Sequence, residues 1–192
     1  MKHVVLLSGG YDSSVLLEHL KKDLNINPLI FHGNIKYPNG TFNQGETNCL
    51  SNEPNNSSTL YFNKLGNSDY IPARNSILVL QCINSICNEQ IEDTTIYIGL
   101  IKNFPRFPDG NSEWLESINS LLKVEFGGKI KVVAPFIDMT KDQVYKLGCK
   151  LGVKLQETFS CNFEDVNGNP CGKCDNCLWR AKHSYPSYER RL

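Results

Sequence analysis

Short apolar runs alternate along the chain with longer segments that carry apolar residues at helical spacing. The short runs are rich in β-branched residues and predict strands at His3–Leu7, Asn27–His32, Thr94–Gly99 and Lys129–Val133. The longer segments predict helices at Ser14–Leu24, Ser76–Cys87, Trp114–Leu122 and Asp142–Cys149. This alternation favours a parallel sheet with helices on both faces. The predicted fold class is therefore α/β, a doubly wound parallel sheet in one domain over residues 1–192.

Two of the predicted helices carry more detailed signals. In Ser76–Cys87 the spacing predicts a shared face of Ile77, Leu80, Asn84 and Cys87. Thr140 and Gln143 stand three residues apart at the start of the last helix, as in a capping box.

Residues 33–70 show little period of either kind and are rich in Asn, Ser, Gly and Pro. A loop of this length inside a compact domain is a functional segment, such as a lid, or partly disordered. The segment 33–70 is therefore predicted to be an irregular loop or lid, with one candidate short strand at Thr59–Phe62.

Composition narrows the classes of function. The chain has 192 residues, 40% of them hydrophobic, and a formal net charge of zero, so no global charge favours nucleic acid or an anionic membrane. Arg180, Lys182, Arg190 and Arg191 near the carboxyl end are interpreted as a solvated helix end. No signal peptide or membrane-length apolar run is present, so a cytoplasmic location with reduced thiols is expected.

The stretch Ser8-Gly9-Gly10-Tyr11-Asp12-Ser13 stands between the first predicted strand and helix. Backbone N–H groups in such a glycine turn, backed by a helix N-terminus, form a site for a phosphate-type anion. A lysine that would complete a Walker A loop is missing, which argues against the usual kinase or GTPase site. The order Ser-Gly-Gly-x-Asp-Ser resembles the pyrophosphate loop (PP-loop) of the ATP pyrophosphatase superfamily.

Four of the eight cysteines form a second strong pattern. Cys161, Cys171, Cys174 and Cys177 have the spacing C-x9-C-x2-C-x2-C. Four thiolates from one short polar segment suit a tetrahedral zinc ion, which predicts a zinc-binding subregion over residues 156–183. Because four thiolates leave no open coordination position, such a metal would be structural. An iron–sulfur cluster is the alternative, since C-x2-C-x2-C runs also occur there.

Taken together, the loop and the cysteine pattern resemble the 7-cyano-7-deazaguanine synthase (QueC) family. Further matches follow in chain order: Ile71-Pro72-Ala73-Arg74-Asn75, Phe107-Pro108-Asp109, Ala134-Pro135-Phe136 with Thr140-Lys141, Glu157–Cys161 and Cys171–Arg180. The resemblance spans most of the chain outside residues 33–70. It implies a Rossmann-like fold of the adenine nucleotide alpha hydrolase type with a carboxyl-terminal zinc-binding region.

The resemblance also implies a reaction. A QueC-like ligase adenylates the carboxylate of 7-carboxy-7-deazaguanine, lets ammonia form the amide, and dehydrates the amide to the nitrile. The implied cofactors are ATP, Mg²⁺ and Zn²⁺. The implied partners are a small-molecule 7-deazaguanine substrate and a second copy of the chain in a homodimer.

The motif matches provide candidate site residues. Ser8, Gly9, Gly10, Tyr11, Asp12 and Ser13 are candidates to bind the pyrophosphate part of ATP, and Ser8, Asp12, Ser13, Arg74 and Lys141 are the candidate catalytic residues. Asp12 either organises Mg²⁺ or caps the first helix. Arg74, Asn75, Phe107 and Asp109 are the candidate substrate-binding residues, with Asp109 accepting from a guanine-like base or serving only as turn chemistry. Lys141 either reaches phosphate or is a solvated first-turn lysine.

Three departures from the family pattern concern the acceptor side. The Gln-Arg-His element after the second strand is replaced by His32–Pro38, and Gly110-Asn111 stand where the family has Cys-Arg. An acidic residue expected shortly before Phe107 is replaced near Lys102-Asn103. These changes predict retained adenylation with a modified acceptor, so that the product is the nitrile, the amide or a conjugate with an amine on a protein acceptor.

Two other functions stay open from the sequence. One is a tRNA-modifying enzyme of the thiolation or lysidine type on the same superfamily fold, although the neutral charge makes a nucleic-acid partner unexpected. The other is a non-catalytic zinc- and nucleotide-binding partner subunit. QueC-like proteins of antiphage gene clusters are a plausible home for a variant of this kind.

Overall fold

The computed structural model describes residues 1–36, 45, 49, 56–61, 70–86, 91–102, 107–165 and 167–183. Its five strands form one sheet: β1 (Lys2–Leu6), β2 (Leu29–Lys36), β3 (Asn56–Tyr61), β4 (Thr94–Tyr97) and β5 (Ile130–Val133). The α-helices whose bounds the structure describes are α1 (Tyr11–Lys22), α2 (Arg74–Ile86), α3 (Ser112–Phe126), α4 (Lys141–Leu151) and α5 (Asp175–Lys182).

All strand pairs in the sheet are parallel, in the order β3-β2-β1-β4-β5. The chain runs outward from β1 to β3 and then returns to the other side of β1, so the strand order reverses between β1 and β4. Ligands of open α/β sheets bind at the carboxyl ends of the strands beside such a reversal. The order confirms the predicted doubly wound α/β fold.

Alternate side chains of β1 pack into two separate hydrophobic cores, one on each face of the sheet. Val5 packs with Val15 of α1 and Val144 of α4 on one face. Val4 packs with Val79 of α2 and other apolar side chains, including those of α3, on the opposite face. A strand buried on both sides explains why the first apolar run is continuous rather than alternating.

Three predictions on local structure are corrected. Helix α1 begins at Tyr11 rather than Ser14, so Asp12 and Ser13 belong to its first turn. In segment 33–70, β2 continues to Lys36 and β3 spans Asn56–Tyr61, because the two strands pair in register and satisfy each other's backbone groups. Apart from these strands, Gly45, Cys49 and Tyr70, the predicted irregular loop lies outside the described residues.

The face of α2 that the sequence spacing singles out is not the buried face of the helix. Ile77 and Leu80 are 40% and 42% exposed, while the buried side chains of this helix are Asn75, Val79, Cys82, Ile83 and Ile86. Cys87, the last residue of the predicted face, lies outside the described residues. Within the part of the chain that the structure describes, no helix has the length and apolar character needed to cross a bilayer.

The contact between α1 and α4 depends on a glycine and is open to test. A Cβ atom added at Gly148 would lie 2.7 Å from Val15 Cγ2 and 2.8 Å from the Tyr11 hydroxyl oxygen. We expect Gly148→Ala to lower the free energy of unfolding by about 1–3 kcal/mol because the helices must move apart. Chemical denaturation measures the change.

The exposed neighbour provides the control for this prediction. Cys149 follows Gly148 on α4 and is exposed. Cys149→Ala should leave the unfolding midpoint within error of the parent protein. Equal stability of Gly148→Ala and Cys149→Ala would contradict the close packing of α1 on α4.

Candidate active site and metal centre

The loop between β1 and α1 is held by its own serines. Gly9 has a φ of +84°, the left-handed conformation that glycine adopts without strain. The Ser13 hydroxyl donates to the Gly10 carbonyl (3.0 Å) and accepts from the Ser8 N–H (3.2 Å), while the Ser8 hydroxyl accepts from the Gly10 N–H (3.1 Å). These hydrogen bonds hold the loop in one shape. The first turn of α1 follows it directly, and N–H groups at the start of a helix lack partners within the helix.

Asp12 is the most unusual group of this loop. Gly10, not Asp12, is the N-cap residue of α1, and as a glycine it makes no side-chain cap bond. The Oδ1 atom of Asp12 is buried without a hydrogen-bond partner among the described residues. Burial raises the pKa of the carboxyl, and the cations of Lys141 and Arg180 only partly offset this effect. Asp12 lines a cavity, and a carboxylate oxygen without a hydrogen-bond partner is suited to bind a cation.

A cavity of about 280 Å³ opens at the carboxyl ends of β1, β2 and β4. It collects nearly all of the candidate residues for nucleotide and substrate. Those that line it are Ser8, Gly10, Tyr11, Asp12, Ser13, Arg74, Asn75, Phe107, Asp109 and Lys141. Gly9 is the exception, because its backbone turns away to accept the Phe159 N–H at 3.0 Å.

One end of the cavity is built by the start of α2. The Asp109 carboxylate is buried and accepts the Asn75 N–H through Oδ2 at 2.9 Å, and the Asn75 amide donates back to the Asp109 carbonyl. This reciprocal pair fixes the turn against the helix N-terminus. The Phe107 ring stacks on Tyr70, with centroids 5.1 Å apart.

The opposite end of the cavity holds Lys141. This lysine is partly buried rather than solvated, and its ammonium donates to Asn176 Oδ1 at 2.5 Å. Burial lowers its pKa, while the nearby Asp12 carboxylate opposes the change. Asn176 in turn donates to Asn162 Oδ1 at 2.9 Å, and both asparagines line the cavity.

The four predicted cysteines converge beside this end of the cavity. Their Sγ atoms all lie within 4.8 Å of one another, with separations of 3.5 Å for Cys174–Cys177 and 3.9 Å for Cys171–Cys177. Backbone N–H groups of Phe163 and Cys171 point at the sulfur of Cys161. The four cysteines therefore form a metal-binding cluster, as predicted.

The thiols of the cluster differ in how easily they ionise. Burial raises the pKa of Cys161. Burial also opposes ionisation of Cys171, but hydrogen bonds from the Lys173 and Cys174 N–H groups and from the Cys161 and Cys174 side chains together outweigh it and bring its pKa to about 7. A bound cation would favour the thiolate form at every position.

The segment just before Cys161 joins the cluster to the loop, and the sequence argument missed its importance. The Phe159 N–H donates to Gly9, and the Ser160 hydroxyl accepts the Tyr11 N–H at 3.3 Å. Arg180 supports the segment from below. Its guanidinium donates to Thr158 Oγ1, the Thr158 carbonyl, Ser160 Oγ and the Leu155 carbonyl.

The interpretation of Arg180 as part of a solvated helix end is therefore wrong. Arg180 is 3% exposed, because the planar guanidinium meets several oxygen acceptors that compensate its burial. The available signal was its place three residues after Cys177 on the same helix, which turns it toward the cysteine cluster.

Comparison with known proteins identifies the family. A family model described as queuosine biosynthesis protein QueC matches residues 42–188, more than half of the chain. The chain belongs to the QueC family. The match begins after the Ser8–Ser13 loop, so the role of that loop rests on its own sequence and geometry.

Curated relatives agree with the family model. A 7-cyano-7-deazaguanine synthase of Rickettsia peacockii is 31% identical to this QueC-family chain over 93% of this chain and 92% of its own length. A 7-cyano-7-deazaguanine synthase of Saccharophagus degradans is 34% identical over 59% of this chain and 52% of its own. The chain is thus a divergent member of an enzyme family.

Solved structures resemble the chain more distantly. The U34-tRNA thiolase NcsA of Methanococcus maripaludis, determined with its [4Fe-4S] cluster, matches with a TM-score of 0.47 and 13% identity. The match covers 95% of this chain and 64% of that structure.

One departure from the QueC pattern has a structural explanation. Asn111, which stands where the family pattern has an arginine, is the N-cap of α3 and accepts the Trp114 N–H at 2.8 Å. Gly110 before it lines the cavity without a side chain. This member therefore uses the position to begin a helix rather than to supply a cation.

The cysteine cluster makes a direct prediction about metal content. Purified protein should contain about one metal ion per chain, and Cys174→Ser should lose most of it because one thiolate ligand is gone. Elemental analysis of dialysed protein measures this. Cys149→Ser removes an exposed cysteine outside the cluster and serves as the matched control; equal metal content in both variants would contradict the assignment.

Proposed function

We propose that this QueC-family protein adenylates the carboxylate of 7-carboxy-7-deazaguanine with ATP. Ammonia, or another amine, then takes the acyl group. The observation that carries the proposal is one cavity of about 280 Å³ whose lining combines residues of the Ser8–Ser13 loop with Arg74, Asn75, Phe107 and Asp109. A cavity that combines a candidate phosphate-binding loop with a second set of polar groups suits two reactants held together.

The chemistry follows from the weakness of a carboxylate as an electrophile. A carboxylate oxygen attacks the α-phosphorus of ATP, and pyrophosphate leaves. Ammonia then attacks the acyl carbon and expels AMP to give the amide. A second ATP activates the amide oxygen in the same way, with pyrophosphate leaving, and loss of AMP together with both protons of the amide nitrogen yields the nitrile.

The ATP end of the cavity is assigned to the loop residues and Lys141. The N–H groups of Asp12 and Ser13 and the hydroxyls of Ser8 and Ser13 would hold the pyrophosphate part, since each hydroxyl can rotate to donate. The Ser8, Gly10 and Tyr11 N–H groups already bond to serine hydroxyls. The unpartnered Oδ1 of Asp12 supports a role in holding Mg²⁺. Bound Mg²⁺ would neutralise phosphate charge. The Lys141 ammonium lines the same cavity and would contact the same phosphate oxygens.

The acceptor end is assigned to Arg74, Phe107 and Asp109. The guanidinium fork of Arg74 suits the substrate carboxylate or the α-phosphate. The Phe107 ring, stacked on Tyr70, offers a flat surface for a planar base. Asp109 retains acceptor capacity at Oδ1 for a guanine-like edge, and Asn75 acts by holding Asp109 in place.

We further infer that the metal of the cluster is zinc. Tetrahedral Zn²⁺ with Zn–S bonds of about 2.3 Å separates its sulfur ligands by about 3.8 Å, close to the 3.5 and 3.9 Å recorded here. In a four-iron cluster each thiolate binds a different iron, so the sulfurs stand farther apart. Zinc held by four thiolates would stabilise the fold without entering the reaction.

The test is an assay with ATP, Mg²⁺ and 7-carboxy-7-deazaguanine, with and without ammonia, followed by mass spectrometry. We expect AMP and pyrophosphate to form, together with the amide or the nitrile when ammonia is present. Asp12→Asn keeps the shape of the side chain but lowers its affinity for Mg²⁺, so turnover should fall by roughly 100-fold or more, the order of one lost electrostatic contact to the reacting phosphates.

The outcomes separate the alternatives. AMP formation without an amide or nitrile would indicate a different amine acceptor. ATP binding without turnover on any acid or amine would favour the non-catalytic partner subunit, and tight, salt-dependent tRNA binding would favour a tRNA-modifying enzyme. Absence of both ATP consumption and a new deazaguanine species would contradict the proposal. The expected homodimer stays a prediction for light scattering.

A further inference from the structure

A group of aromatic side chains beside the ATP end of the cavity has no role in the assignments above. Trp179 of α5 is its centre. The Trp179 ring lies 5.6 Å from the Tyr11 ring, 5.6 Å from the Tyr145 ring in an edge-on arrangement, and 4.2 Å from the His183 ring in a stack. One indole thus connects the phosphate loop, α4 and the end of α5.

The indole also faces Lys141. The ammonium nitrogen lies 5.0 Å from the centroid of the Trp179 ring, within the range of a cation–π interaction, for which indole is the best aromatic partner. The same ammonium donates to Asn176 Oδ1. Asn176 and Trp179 are three residues apart on α5 and so share one face of the helix.

Trp179 is itself held in one orientation. Its Nε1–H donates to Asp142 Oδ1 at 3.0 Å, and its carbonyl oxygen lies 2.9 Å from His183 Nδ1. His183 Nε2 lies 3.5 Å from the same Asp142 oxygen. The face of the indole is therefore a fixed surface rather than a mobile side chain.

The geometry points to Trp179 as the positioning residue for Lys141. Together with Asn176, it holds the ammonium at the ATP end of the cavity before the nucleotide arrives. The use of this lysine in catalysis rests on the proposed function, whereas the contact does not.

The physical reason lies in the lysine side chain. A lysine has four rotatable side-chain bonds and loses much of its rotamer entropy when it is immobilised. Because Trp179 and Asn176 already restrict the lysine, this entropy is lost before the nucleotide binds and does not weaken nucleotide binding. The quadrupole of the indole also favours the charged form of an ammonium that burial disfavours.

A double-mutant cycle tests whether Trp179 acts through Lys141. Trp179→Leu should lower kcat/KM for ATP by roughly 3- to 30-fold, the range of a partly desolvated cation–π contact. In a Lys141→Met background the same substitution should cost less than about 2-fold. Trp179→Phe keeps a weaker ring and should fall between Trp179→Leu and the parent protein. Leu178→Ala, at an exposed neighbour on α5, is the matched control.

A purely structural role gives different results. It would make Trp179→Leu cost the same with and without Lys141, and that result would overturn the proposal. Metal content is measured in each variant, because loss of metal from Trp179→Leu would likewise assign the residue to the fold.

Fluorescence separates this inference from the proposed function. The chain has two tryptophans, and Trp114 bonds to Ser76 in another part of the fold, so Trp114→Phe leaves Trp179 as the sole indole. In that background Lys141→Met should shift or brighten the emission without any nucleotide. An unchanged emission would overturn the contact. If the parent protein consumes no ATP while the emission changes, the proposed reaction fails and the contact stands.

Discussion

The arrangement of the candidate site depends on the docking of one short segment, Thr158–Ser160, against the Ser8–Ser13 loop. The Phe159 N–H bonds to the Gly9 carbonyl, and Ser160 takes the Tyr11 N–H, so the first turn of α1 is completed by residues about 150 positions away. Gly9 makes this possible, because its left-handed backbone turns the carbonyl outward from the cavity. Without this contact the loop would have its own serines to hold it but no wall behind it.

The cysteine cluster lies next to the proposed ATP site. Cys161 follows the docking segment directly, and α5 begins beside Cys174 and carries Asn176, Trp179 and Arg180. These three side chains reach Lys141 and the segment Thr158–Ser160. The cysteine cluster holds the segment before Cys161 and the start of α5 together, and so can position the side chains that both contribute beside the cavity. Four thiolates on one metal ion would leave no coordination site for a substrate. The cysteine cluster and the proposed ATP site are therefore connected through the same segment and the same helix.

Local signals predicted the parts of this arrangement that depend on local chemistry. The glycine turn, the cysteine spacing and the capping box at Thr140 each need only neighbouring residues, and the structure contains all three. The buried face of α2 was not predictable in this way. Residues 77–80 are four consecutive apolar residues, so periodicity alone does not select a face. Arg180 was misinterpreted for a similar reason, since its oxygen partners are up to 25 residues distant in the chain.

Amide hydrogen exchange with and without the metal tests the central claim most directly. The account predicts that removal of the metal by a chelator exposes the Tyr11 and Phe159 amides to exchange, while the β1 and β4 amides keep their protection. Restoring the metal should restore protection at both loop positions. Equal protection of Tyr11 and Phe159 in the loaded and stripped protein would contradict the account, because the phosphate loop would then keep its wall without the cluster.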